Sequence, residues 1–214
     1  MSRPACGLYL VTPVGLARGD LALPDFGRAC AAVLDAVPVE ALLLRIGGVE
    51  GSVADDAVKA QIALLLPLAH QRGVPLVIEG RADLAAGEGC DGVHLPADRR
   101  AIQSVRRALG DDAIVGAAAG QSRHAGMEAG EAGADYVAFG LFDPAPEPPA
   151  TELLEWWQEM MELPCVALGG VTPENAAALA AAGADFLALR NALWNHPQGP
   201  AKAAKLVWQA LKAG

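Results

Sequence analysis

Four side chains able to do chemistry stand at or near the ends of short apolar runs: Arg45 after Ala41–Leu44, Glu79 after Leu76–Ile78, His94 within Gly92–Leu95, and Arg190 after Phe186–Leu189. A guanidinium closing an apolar run is costly without an anion. For Arg45 that anion is either Glu79 at a neighbouring run or the charge of a ligand. Glu79 has three possible uses: general base, metal ligand, or neutralisation of Arg45, the last being the simplest. His94 suits either acid–base work or a hydrogen-bonded structural place, and the structural use is the commoner one. Arg190 can offer a phosphate a bidentate fork, or reach towards Asp185 or solvent.

The segment Pro164–Asn175, PCVALGGVTPEN, has the form of an anion cradle. Cys165–Leu168 reads as a buried strand, and Gly169 and Gly170 remove side chains that would keep a ligand from the backbone. Thr172 and Pro173 suit the N-cap and first position of a helix, whose free N–H groups and positive dipole end attract anions. Taken alone, the same turn is only a tight strand-to-helix connection.

These residues need a scaffold, and the rest of the chain supplies one. Apolar runs rich in Val, Leu and Ala alternate with longer segments of helical spacing. We read strands at Gly7–Val11, Ala41–Arg45, Pro75–Glu79, Gly92–Leu95, Ile114–Ala118, Tyr136–Gly140, Cys165–Leu168 and Phe186–Leu189. We read helices at Pro24–Val37, Ala54–Arg72, Arg81–Glu88, Asp98–Leu109, His124–Ala132, Thr151–Met161, Pro173–Ala182 and Pro200–Leu211. Eight such units, buried on both faces, close most naturally into a single α/β domain, a (β/α)8 TIM barrel. Gly89-Cys90-Asp91, Gly133-Ala134-Asp135 and Gly183-Ala184-Asp185 recur between helix and strand; the glycine ends the helix and the short residues let the chain turn. In a barrel the strand C-termini form the site, which gathers Arg45, Glu79, His94, the Gly169-Gly170 turn and Arg190-Asn191 in one mouth, with Gly169, Gly170, Arg190 and Asn191 as the phosphate site. Asp143–Ala150, DPAPEPPA, reads as a stiff extended loop over that mouth.

Composition narrows the partners. The chain has 214 residues and a formal net charge of −9, with only 16 Lys and Arg, which argues against nucleic acid or an anionic membrane surface. No apolar run approaches the roughly 20 residues of a membrane span, and no signal-peptide pattern opens the chain, so the expected location is cytoplasmic. Cys6, Cys30, Cys90 and Cys165 form no CxxC pair and read as reduced thiols, with Cys165 the one candidate for reactivity. Trp156, Trp157 and Trp208 read as helix residues packed on the barrel or a subunit face, and Trp194 as a possible cover for a ring-shaped ligand.

Several of these motifs together resemble the thiamine-phosphate synthase and thiazole tautomerase family over nearly the whole chain. Leu8-Tyr9-Leu10-Val11-Thr12 is similar to its opening strand, Asp91-Gly92-Val93-His94-Leu95 to its fourth, Ala134–Gly140 to its sixth, and Ala167–Asn175 to its seventh strand and phosphate turn. The resemblance implies a cytoplasmic transferase of thiamine biosynthesis. It would join an aminopyrimidine diphosphate to a thiazole phosphate with Mg2+ on the diphosphate, and a homodimer is possible. It also implies Asp98 as a metal ligand. The chain departs from the pattern around the diphosphate. Gly47 replaces a lysine, Gly80 a metal-binding aspartate, and Ala145-Pro146-Glu147-Pro148 a run of hydroxyl and amine groups. Two further readings therefore stay open: a relative that binds a phosphorylated heterocycle without turnover, and an isomerase on a monophosphate using Glu79 or His94.

Overall fold

A computed structural model of the chain describes residues 6–47, 53–142 and 146–213. Eight parallel strands, β1 (Gly7–Val11), β2 (Ala41–Leu44), β3 (Leu76–Glu79), β4 (Gly92–Pro96), β5 (Ile114–Gly120), β6 (Tyr136–Phe139), β7 (Cys165–Ala167) and β8 (Phe186–Leu189), close in sequence order into a barrel. Around them run α1 (Val14–Arg18), α2 (Leu23–Leu34), α3 (Asp55–His70), α4 (Ala82–Glu88), α5 (Arg99–Leu109), α6 (Arg123–Glu131), α7 (Thr151–Met160), α8 (Pro173–Ala181), α9 (Asn191–Trp194) and α10 (Pro200–Ala213). This is the expected (β/α)8 barrel, with strand and helix ends shifted by a few residues. The short helices α1 and α9 were not expected, because one turn carries too little periodicity to register.

The recurring Gly-X-Asp segments act as fasteners at the N-terminal rim. Asp91, Asp135 and Asp185 each accept, through Oδ2, an N–H at the start of the preceding strand: Leu76 at 2.7 Å, Val115 at 2.7 Å and Cys165 at 2.8 Å. Each also donates its own N–H to the carbonyl of that same residue. The glycines before them sit at φ 78°, 100° and 120°, a region that side chains with a Cβ rarely enter. Arg106 braces the middle fastener, bonding Asp135 Oδ2 at 2.6 Å and the Ala113 carbonyl at 2.6 Å.

Alternation along the strands makes two cores. Outward residues such as Leu8, Leu42, Ile78, Val115 and Phe139 pack beneath the helices. Inward residues, among them Tyr9, Leu43, Val77, Tyr136, Val166 and Ala188, fill the barrel. The register pairs Glu79 with His94, His94 with Gly116 and Gly116 with Tyr136. Because Leu44 pairs with Ile78, Arg45 falls beside Glu79. One inward line thus runs Arg45, Glu79, His94, Gly116, Tyr136, the last two across a gap only glycine permits: a Cβ on Gly116 would lie 2.0 Å from Tyr136 Cζ.

Candidate functional site

The sequence-picked residues on the first half of the mouth are held by the protein itself. Thr12 Oγ1, fully buried, accepts the Arg45 N–H at 2.9 Å and fixes the end of β2. Glu79 Oε1 lies 3.7 Å from Arg45 Nε, while Oε2 accepts the N–H groups of Ile46 at 3.0 Å and of Gly47. A Cβ on Gly47 would sit 2.8 Å from Glu79 Oε2, so the carboxylate occupies the room a side chain at 47 would enter. Of the three uses open to Glu79, the geometry provides the neutralisation of Arg45, together with an anchor for the turn after β2.

His94 sits deeper. Its Nδ1 is 3.0 Å from Tyr136 Oη, which is 2.7 Å from Tyr9 Oη, and all three side chains are buried. His94 and Tyr136 stack at 5.7 Å and 17°. Burial, with the neighbouring charge of Arg45, pulls the imidazole down to about 4, so it is neutral at physiological pH. Burial likewise raises both phenols, which stay protonated. This inner chain fits the structural use of His94. The sequence reading passed over Tyr9 and Tyr136. The signal available was a phenol in an otherwise aliphatic run, since a buried Tyr hydroxyl calls for a partner.

The second half of the mouth is a cavity of about 400 Å3 lined by Gly169, Gly170, Val171, Arg190, Asn191 and Asn195, with Phe142 and Pro146 on its loop side. All four residues picked for phosphate thus come together. Gly169 and Gly170 hold φ 81° and 60°, and Asn175 steadies the turn, its Oδ1 accepting the Thr172 N–H at 2.8 Å and its Nδ2 donating to the Gly170 carbonyl at 2.9 Å. Among the described residues the N–H groups of Gly170 and Val171 meet no protein acceptor.

The reason for the glycines is partly different from the one inferred. A Cβ on Gly169 would lie 2.0 Å from the Leu141 carbonyl oxygen, and one on Gly170 would lie 2.9 Å from Pro148 Cδ. The missing side chains admit the chain's own loop as well as a ligand. That loop is tied by reciprocal Leu141–Glu147 hydrogen bonds of 2.8 and 2.9 Å. Residues 143–145 of the expected proline-rich stretch lie outside the described residues.

Other sequence picks fall elsewhere. Asp98 is exposed and caps α5, accepting the Ala101 N–H at 2.7 Å. Trp194 stands away from the phosphate cavity: its Nε1 donates to the Val11 carbonyl at 2.6 Å and its ring packs on Phe26 at 4.8 Å. Cys165 is buried, its Sγ turned to the Gly183 carbonyl at 3.5 Å, which takes away the reactive reading. Arg190 lies at the opposite end of β8 from Asp185 and is buried in the mouth. Trp157 is buried against Phe139, and Trp156 and Trp208 lie beneath Arg123 and Lys212.

The Mg2+ that the resemblance implies finds no fitting site among the described residues. No three His, Cys, Asp or Glu side chains converge there. Glu79 is engaged by two N–H groups and a guanidinium, and Asp98 by a helix end. Also among the described residues, no helix is long and apolar enough to cross a membrane.

The architecture is shared with a thiamine phosphate pyrophosphorylase from Pyrococcus furiosus, which superposes with a TM-score of 0.80 over 97% of this chain and 96% of its own; at 22% identity it speaks for the fold. Sequence similarity is much closer elsewhere. A thiamine-phosphate synthase of Rhodospirillum centenum is 47% identical over 203 residues, covering 92% of this chain and 94% of the relative. One of Hyphomonas neptunium is 44% identical over 208 residues, covering 95% and 92%. A family model described as thiamine monophosphate synthase matches residues 8–193, from the first inner strand to the helix that follows the phosphate turns. With barrel, turns and sequence in agreement over that span, the chain belongs to the thiamine monophosphate synthase family.

Proposed function

We propose that the protein is a thiamine-phosphate synthase, which joins an aminopyrimidine diphosphate to a thiazole phosphate as diphosphate leaves. The observation that carries this reading is the cavity at the last two strand ends. There, the N–H groups of Gly170 and Val171, which meet no acceptor among the described residues, face a buried arginine and two asparagines across a space of about 400 Å3. Oriented N–H groups beside a guanidinium make an anion site that needs no flanking metal. The thiazole phosphate belongs there, with its ring towards the barrel axis. The names of the relatives at 47% and 44% identity support the same assignment.

A second reading is favoured by one observation. Glu79 and Arg45 satisfy each other on the half of the mouth where the diphosphate would lie. A chain of that kind binds the phosphorylated heterocycle and does not turn it over. The test is release of diphosphate by purified protein given both substrates, run with Mg2+ and with a chelator, beside calorimetric titration with the thiazole phosphate. Release above background that disappears in Arg190→Gln supports the synthase. Binding without release selects the second reading, and neither binding nor release overturns both.

A further inference from the structure

We propose that Phe142 is a positioning residue whose ring seats two buried guanidiniums, keeping Arg190 on the phosphate cavity and Arg45 with Glu79 behind it, an inference that rests on the phosphate-cavity reading above. Phe142 follows β6, yet its ring reaches across the mouth to the ends of β2 and β8. The Arg45 guanidinium carbon lies over it at 4.7 Å and that of Arg190 at 4.6 Å. Its carbonyl also accepts Arg190 Nη2 at 3.1 Å, so ring and backbone of a single residue grip the same arginine. Both arginines are buried, 5% and 7% exposed, where a cation gains most from an aromatic face.

The arrangement solves a geometric problem. Arg45 and Arg190 sit on strands that flank β1 from either side, and two like charges brought to one mouth repel. The negative face of a ring accepts a guanidinium plane while leaving the N–H edges, which lie in that plane, directed past the ring. Arg190 and Phe142 both line the phosphate cavity, whereas Arg45 does not, so the ring is also the wall between the cavity and the Arg45–Glu79 pair. The ligand class that suits this cavity is a phosphate monoester on a planar ring: the anion meets the Arg190 fork, and the ring lies against the Phe142 wall.

The test is calorimetric titration of the full chain with inorganic phosphate, comparing wild type, Phe142→Leu and Phe142→Tyr, with melting temperatures recorded for each. Leucine keeps apolar bulk and loses the π face; tyrosine keeps the face. We expect Phe142→Leu to weaken binding roughly tenfold, equivalent to about 1.4 kcal/mol and within the range of a desolvated cation–π contact. Phe142→Tyr should stay within about twofold of wild type, and in an Arg190→Gln background Phe142→Leu should change little further. Equal binding by wild type and Phe142→Leu, or equal weakening by leucine and tyrosine, overturns the role of the ring while leaving the cavity intact. Failure of the wild type to bind phosphate overturns the cavity reading, and this inference with it.

Discussion

Replacing His94 by asparagine should flatten the dependence of stability on pH between about 7.5 and 4.5. The native imidazole is held at about 4 by burial and the charge of Arg45, against 6.5 in the unfolded chain. As pH falls through that window, the unfolded chain takes up a proton that the native chain refuses, so the folded state loses ground. Between pH 7.5 and 4.5 the loss from this one group is roughly 2–3 kcal/mol, at 1.36 kcal/mol per unit of difference. Below about 4 both states are protonated and the loss levels off. The carboxylates held low by arginine hydrogen bonds, Asp35 by Arg72 and Asp55 and Asp83 by Arg81, surrender their contributions only at lower pH, outside this window. Asparagine leaves an amide near the Nδ1 position to meet Tyr136 and removes the titration. Urea unfolding at pH 7.5, 6.0 and 4.5 reads the slope directly. Wild type should lose roughly 2–3 kcal/mol more than His94→Asn across the range. Parallel curves would refute the neutral, buried histidine and reopen an acid–base use for it.

Three other perturbations follow from the same geometry. Gly47→Ala should destabilise the fold by about 1–3 kcal/mol, because the new Cβ evicts a carboxylate that serves two N–H groups; an unchanged denaturation midpoint would contradict this. Tyr136→Phe removes the hydroxyl shared by Tyr9 and His94 and should cost about 1–3 kcal/mol. Combining it with Tyr9→Phe should cost less than the sum of the single changes, which a double-mutant cycle measures. Asp135→Ala leaves the Val115 N–H and Arg106 without their shared acceptor and should lower stability by about 1–3 kcal/mol. Amide exchange at the start of β5 should rise with it.

The barrel was legible because its signals are redundant. Eight apolar runs of strand length, eight amphipathic segments and three repeated Gly-X-Asp fasteners all point to one closure. The fasteners add to the runs, since each aspartate binds the N–H and carbonyl of one residue on the strand before it. The phosphate turn was legible for a related reason: glycines, N-cap and helix lie within a dozen consecutive residues. What escaped depended on contacts distant in sequence. Phe142 meets Arg45 and Arg190 only through the curvature of the barrel, and Tyr9 finds Tyr136 across its interior, 127 residues away. Asp98 and Trp194 were misplaced because composition near a strand end cannot reveal which way a side chain turns. One caps its own helix and the other packs on α2. The partner of Glu79 was foreseen as a charge, but not the two N–H groups that hold its other oxygen.

We assign the phosphate of a phosphorylated heterocycle to the last two strand ends. Backbone amide shifts recorded by NMR during titration with the thiazole phosphate test it most directly. The largest changes should fall on Gly170, Val171, Asn191 and Ala192, with Arg190 side-chain signals moving alongside. Changes confined to other strand ends, or none at saturating ligand, would contradict it.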